Sequence, residues 1–181
     1  DGTDEDDPDT IADLSGSFVS ASKPVAVFTG VESAGVPAAA LEDFPTYPGW
    51  DDGTGFLDHL EEQLLPLEAT GTWYVVTRSP VRSDDDFREP DVIRFVGGEV
   101  ATTVTTTLPE PWTEFTLEPG EVKTTWAQDD FVASADSAFL LGQLLSGAEY
   151  TNTLIGDPSL LVLSAGEQHR ARAQLREQHQ L

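Results

Sequence analysis

The chain contains no cysteine and no methionine. Without thiols it can form no disulfide, thiolate nucleophile or cysteine metal site. Without methionine it has no start residue, so it is expected to be a processed or excised piece of a longer product. Basic residues are scarce, with 9 Lys and Arg against 33 Asp and Glu and a formal net charge of −24. Lys23 and Lys123 are the two lysines. Such a surface repels nucleic acid and anionic lipid, which need basic contacts. No apolar run approaches the roughly 20 residues of a membrane-spanning helix, so direct membrane insertion of this segment is not expected. The acidity suits high salt, where screening removes self-repulsion, or attraction to a basic partner or a cation.

Catalytic signatures are missing as well. There is no nucleophile elbow, P-loop, dinucleotide fingerprint or paired-histidine zinc motif. The histidines are His59, His169 and His179. His59 lies in Asp58-His59-Leu60-Glu61-Glu62-Gln63, where one imidazole among carboxylates makes a poor zinc site. A structural hydrogen-bonding role is the simpler reading. With 33 acids, some carboxylate pair falls at glycosidase spacing by chance. No enzyme and no cofactor is expected. Calcium is the one ion kept in view, on the N-terminal acids or on Asp84-Asp85-Asp86. The former lack the spaced ligands and central glycine of an EF-hand loop.

What is present is strand pattern. Phe18 to Gly30 can be laid on Phe131 to Gln143, which suggests a duplicated antiparallel unit. Lys23 to Thr29 is apolar in both phases of a period-2 pattern, as in a central strand, with Pro24 at its start. Further strands are expected over Thr72–Thr77, Asp91–Val96, Val100–Thr107, Trp112–Leu117, Val122–Trp126, Phe139–Leu145 and Leu160–Leu163. Gly97-Gly98 reads as a two-residue hairpin. Glu118-Pro119-Gly120-Glu121 reads as a type II turn.

Residues 31–55 are rich in Gly, Pro, Ala and Asp and read as a long surface loop. Trp50 in it and Phe56 beside it either contact a ligand or fold back to pin the loop. The domain plan is an acidic linker over 1–10, a β-rich domain over 11–165 and a polar, helix-like tail over 166–181.

The stretches Asp13-Leu14-Ser15-Gly16, Ser22 to Gly30 with Lys23 and Pro24, Asp58 to Pro66, and Thr72-Trp73 occur in a set order. They continue as Thr102-Thr103-Val104, Glu118 to Glu121, Phe139 to Gly147, and Gly156-Asp157-Pro158. Over residues 10–170 the chain resembles the IgG Fc-binding protein N-terminal domain family. The resemblance implies a secreted or surface-attached β-rich module of large multidomain proteins, without catalytic residues. It does not carry immunoglobulin binding to this chain. Family members often have cysteines in the long loop; here Ser33 and Leu57 stand in that region, so any loop staple is lost.

The expected fold is all-β: an antiparallel β-sandwich of two related sheet units with a long loop and a short C-terminal tail. The expected role is a non-catalytic extracellular or cell-surface module for adhesion or protein binding. The rivals are a structural subunit of a surface layer or filament, with self-association, and a carbohydrate-binding domain. Trp50, Phe56 and Trp112 are the candidate contacts for a protein or glycan ligand. Lys23, Pro24, Asp58, His59, Glu62, Gln63, Gly156, Asp157 and Pro158 are candidate structural residues. Gln63 and Gln168 are expected to lock loop backbone to the sheets.

Overall fold

The computed structural model describes residues 3–4, 7–11, 14–37, 41–47, 57–84 and 86–168. Among the described residues eleven strands run in chain order: β1 (Thr3–Asp4), β2 (Asp7–Ile11), β3 (Phe28–Ala34), β4 (Asp58–Gln63), β5 (Gly71–Val76) and β6 (Asp91–Gly97), then β7 (Thr102–Thr106), β8 (Glu114–Leu117), β9 (Val122–Ala127), β10 (Phe131–Leu145) and β11 (Ser159–Val162). All pairings are antiparallel. The all-β antiparallel expectation holds.

Strand β10 organises the main sheet of seven strands. Ala133 in its first part lies between Tyr74 of β5 and Thr106 of β7. Leu144 in its second part lies between Leu160 of β11 and Val92 of β6. Outside these, β8 pairs with β7 and β9 pairs with β6. The sheet therefore has two lobes on one shared strand. The register of β10 shifts between Ser134 and Phe139, the kind of irregularity by which a strand passes from one sheet to another.

The lobes curl toward one core. Phe131, Ala133, Phe139 and Leu141 of β10 point inward to Tyr74, Val76, Ile93, Phe95, Val104 and Leu117. Phe95 is fully buried and touches the rings of Trp112, Phe115, Phe131 and Phe139. Edge-to-face and offset geometries of this kind add about 0.5–1.5 kcal/mol per pair beyond area burial. A second, smaller cluster forms where Val36 and Leu60 cover Val92 and Leu144 on the outer face of the β6–β9 lobe. The β3–β4 ribbon and its loop thus form an extra layer there.

Three expectations are corrected. Lys23 to Val27 is not a strand, and β3 begins at Phe28 as an exposed member of a two-stranded ribbon. Its apolar pattern describes a strand that needs cover, and the described residues leave Val25 and Phe28 more than half exposed. Phe18–Gly30 and Phe131–Gln143 therefore hold different positions, one leading into that ribbon and the other in the central strand. Gly97-Gly98 does not close a hairpin, because β6 and β7 do not pair; they follow one another along β10. A Cβ on Gly97 would collide with the Glu118 carbonyl oxygen, and one on Gly98 with that of Ala138. The glycine pair is there for close backbone approach at the corner between the lobes, and neither residue has positive φ.

Near the N-terminus Thr3–Asp4 and Asp7–Ile11 pair as β1 and β2; main-chain pairing there needs no apolar side chain. At the other end Ala165 and Gly166 are buried, and residues 166–168 are helical and packed on the body. The rest of the tail, 169–181, lies outside the described residues.

Candidate interaction surface

The family-like stretches meet in pairs. Gly16, at φ 84°, approaches Gly120, at φ 70°, so closely that neither position has room for a Cβ. Gly120 is the third residue of the turn, whose Glu121 N–H donates to the Glu118 carbonyl at 2.9 Å, as the type II pattern requires. The segment from Phe28 pairs with Asp58–Gln63 as β3 and β4. Gly156, at φ 93°, lies against the Arg82 guanidinium, and Pro158 is buried beside the exposed Asp157.

On β4 the side chains act locally. The Asp58 carboxylate accepts from the His59 N–H at 2.8 Å, and Glu62 accepts from the Gln63 N–H at 3.0 Å. His59 Nε2 lies 3.4 Å from Glu61, and both side chains are more than half exposed. Gln63 is exposed. Gln168 is half-buried, and its N–H donates to the Ala165 carbonyl at 3.0 Å, a contact within its own turn. A buried amide that locks loop to sheet is Gln143. It donates to the Thr77 carbonyl at 3.0 Å and to the Asp91 carboxylate at 2.7 Å. Its place among apolar neighbours of β10 was the available sequence signal.

Lys23 and Pro24 are exposed just ahead of β3. Trp50 and Phe56 lie outside the described residues. Among the described residues Phe44 meets Trp126 and Tyr150 edge-on, and Tyr47 meets Phe87, which pins the loop on both sides. Trp126 adds an indole N–H bond to the Glu42 carbonyl at 3.0 Å. Trp112 is half-buried, stacked on Phe95 and edge-on to Phe115.

A charged cluster ties the loop between β5 and β6 to the end of β10. The Arg82 guanidinium lies 3.2 Å from Glu89, with their side chains 15% and 4% exposed. Arg82 also donates to the Ser146 carbonyl at 2.8 Å. Burial opposes ionisation of Glu89, but the Arg82 N–H at 2.6 Å, further hydrogen bonds and the guanidinium outweigh it. Its carboxyl is held below the usual carboxylate range. Near the end of the described chain, Glu167 accepts from the Thr72 N–H at 2.9 Å and from its hydroxyl at 2.7 Å. Burial pushes the neighbouring Tyr74 phenol up to about 12, and the Glu167 charge adds to the effect.

The outer face of the β7–β8 lobe carries a shallow groove of about 290 Å³ lined by Thr103, Thr105, Glu114, Ser134, Ala135 and Asp136. Among the described residues no cluster of three or more His, Asp or Glu is arranged for a metal ion. The N-terminal acids and Asp85 stand outside the residues whose side chains are described. Among the described residues no helix is long and apolar enough to cross a membrane.

The open feature is the apolar run ahead of and along β3. Val19, Val25 and Phe28 are 65%, 62% and 60% exposed. They sit on a body of net charge −24. The family model described as IgGFc binding protein matches residues 9–180, nearly the whole chain. The chain belongs to the IgGFc-binding protein family. Comparison with curated proteins and with solved structures found no match in either. The IgGFc-binding match spans both the β3–β4 ribbon and the two-lobed sheet, so this family unit takes in both and not one lobe alone.

Proposed function

We propose that the chain is a non-catalytic, extracellular or cell-surface module that binds protein within a larger secreted protein. Family membership supports the class. The observation that carries the reading is the exposed apolar segment from Val19 to Val31 on a strongly acidic body. Contiguous exposed apolar surface with a polar rim marks interaction sites. Adhesion is the use such a module would serve on a surface, with Trp50, Phe56 and Trp112 as further contact candidates.

The test is surface plasmon resonance of the immobilised chain against a panel of purified extracellular proteins, immunoglobulin Fc among them. A parallel glycan array covers the carbohydrate alternative. Saturable binding of a panel protein at physiological salt is expected. A silent panel with clear glycan binding would replace the reading. Turnover of a peptide or glycan substrate, abolished by changing one carboxylate, would do so too.

A further inference from the structure

Granting that the chain binds protein, we propose that the open edge of β3 is its docking edge. The occupant is an extended segment of a partner protein, carrying alternating aliphatic and basic side chains. It adds to the ribbon as a third strand.

The main chain supports this. Among the described residues β3 pairs on one edge only, with β4. The Leu64 N–H donates to the Val27 carbonyl at 2.9 Å, which sets the phase of the ladder. In an antiparallel pair, residues facing the partner with both polar groups alternate with residues facing away. Val27, Thr29 and Val31 therefore turn their N–H and C=O toward β4. Phe28 and Gly30 turn theirs to the open edge.

The side chains support it too. Natural edges are blunted by lysine, by proline inside the strand or by an inward charge. The first four residues of β3, Phe28 to Val31, have none of these and precede the register shift between Val31 and Ala34, and Pro24 precedes the strand. Val25 and Phe28 are exposed although Val25-Ala26-Val27-Phe28 has the composition of a strand covered on both faces.

Charge selects the occupant. Register places Phe28 opposite Gln63 and Gly30 opposite Glu61, so Glu61 shares the exposed face of Phe28. Glu32 follows on β3 itself. A second copy, at −24, brings like charge to this edge. A basic segment brings the complement.

The experiment titrates the intact chain with an acetylated, amidated octapeptide of alternating valine and lysine and follows amide hydrogen exchange. Slowed exchange at Phe28 and Gly30, with Thr29 and Val31 unchanged, is expected. Phe28→Ala and Phe28→Pro both remove the ring, but only the latter removes the outward N–H. Phe28→Pro should bind the peptide about tenfold more weakly than Phe28→Ala, the worth of roughly one main-chain hydrogen bond. Should Phe28→Pro fail to fold, the exchange pattern of the unaltered chain decides alone.

Peptide binding without protection of Phe28 and Gly30 is adsorption to acidic surface and overturns the proposal. Equal binding of a valine–glutamate peptide does the same. Protection that grows with protein concentration and without peptide assigns the edge to a second copy and also overturns it. A panel protein that binds Phe28→Pro and Phe28→Ala equally removes the edge assignment while the binding role stands. A panel with no binder removes the binding role, and the peptide experiment still reads on the edge.

Discussion

The side-chain amide of Gln143 lies 2.7 Å from the carboxylate of Asp91, and both residues are buried. The same carboxylate oxygen accepts the Ser79 N–H at 2.7 Å. One pair thus joins β10, β6 and the loop that leaves β5. Replacing Gln143 by leucine keeps the volume and strips Asp91 of a donor. A buried acceptor left short costs about 1–3 kcal/mol. Gln143→Leu should lower chemical-denaturation stability by that amount with an unchanged slope on denaturant. A loss under about 0.5 kcal/mol, the range of an indifferent surface change, would show that water takes the place of the amide.

Tyr74 reports on the core in alkali. Its O–H donates to the Phe139 carbonyl at 2.6 Å, and its pKa is raised to about 12. A folded-state pKa above the unfolded value near 10 means that the folded chain holds the proton longer. The contribution is complete below pH 10 and is lost as pH rises through 12, because there the unfolded state binds fewer protons. Two units correspond to about 3 kcal/mol. Tyr74→Phe should be about 1 kcal/mol less stable at pH 8 through its lost hydrogen bond. It should also lose less stability than the unaltered chain between pH 10 and 12. Parallel stability curves across that range would contradict the assignment.

The Arg82–Glu89 pair makes the opposite acid-side case. The carboxyl of Glu89 is held low, so its contribution is present above the ordinary carboxylate range and fades as pH falls through the depressed value. Arg82→Ala leaves Glu89 buried without its cation, a change that costs about 3–5 kcal/mol for buried pairs. Gly156→Ala should act on the same cluster from the other side. Its φ of 93° penalises any Cβ, and that Cβ would meet the Arg82 guanidinium. Thermal melts at pH 7 should rank Arg82→Ala lowest, then Gly156→Ala. In Glu89→Gln the acid limb of stability against pH should flatten.

Local chemistry was legible in the sequence; the meeting of distant segments was not. The stretch Thr72–Thr77 is rich in β-branched and aromatic residues and became β5 within one residue, and the Pro-Gly pair at 119 and 120 made its turn. Both depend on neighbours in the chain. Gly97-Gly98 looked the same as a hairpin because glycine signals positive φ and close backbone approach alike. Only the pairing of β6 and β7 with one long β10 separates the two meanings. The apolar run at Val25 read as interior because a pattern records what a strand could bury, while the described fold leaves it in solvent. Of the candidate site residues, Asp58, His59, Glu62 and Gln63 do share one strand, but their bonds are to near neighbours. The buried Gln143 was missed because a lone amide in an apolar run carries no spacing signal.

The two meanings of glycine can be separated by experiment on β6 and β10. Gly97 N–H donates to the Glu121 carbonyl at 2.9 Å, and Gly97 C=O accepts from Gly120 at 3.2 Å. A Cβ at Gly97 meets main-chain atoms, which cannot rotate away as a side chain can. Gly142 is equally buried, yet the nearest atoms to its added Cβ are 3.9 Å off, an ordinary contact. If crowding at the corner between the lobes is what requires glycine, Gly97→Ala should cost more than about 2 kcal/mol, beyond the usual range of a strand substitution. Gly142→Ala should be neutral or stabilise by up to about 1 kcal/mol, because alanine narrows the unfolded ensemble. Denaturant midpoints of the two variants side by side make the comparison. If Gly97→Ala proved as stable as Gly142→Ala, the corner would not be held by that backbone approach.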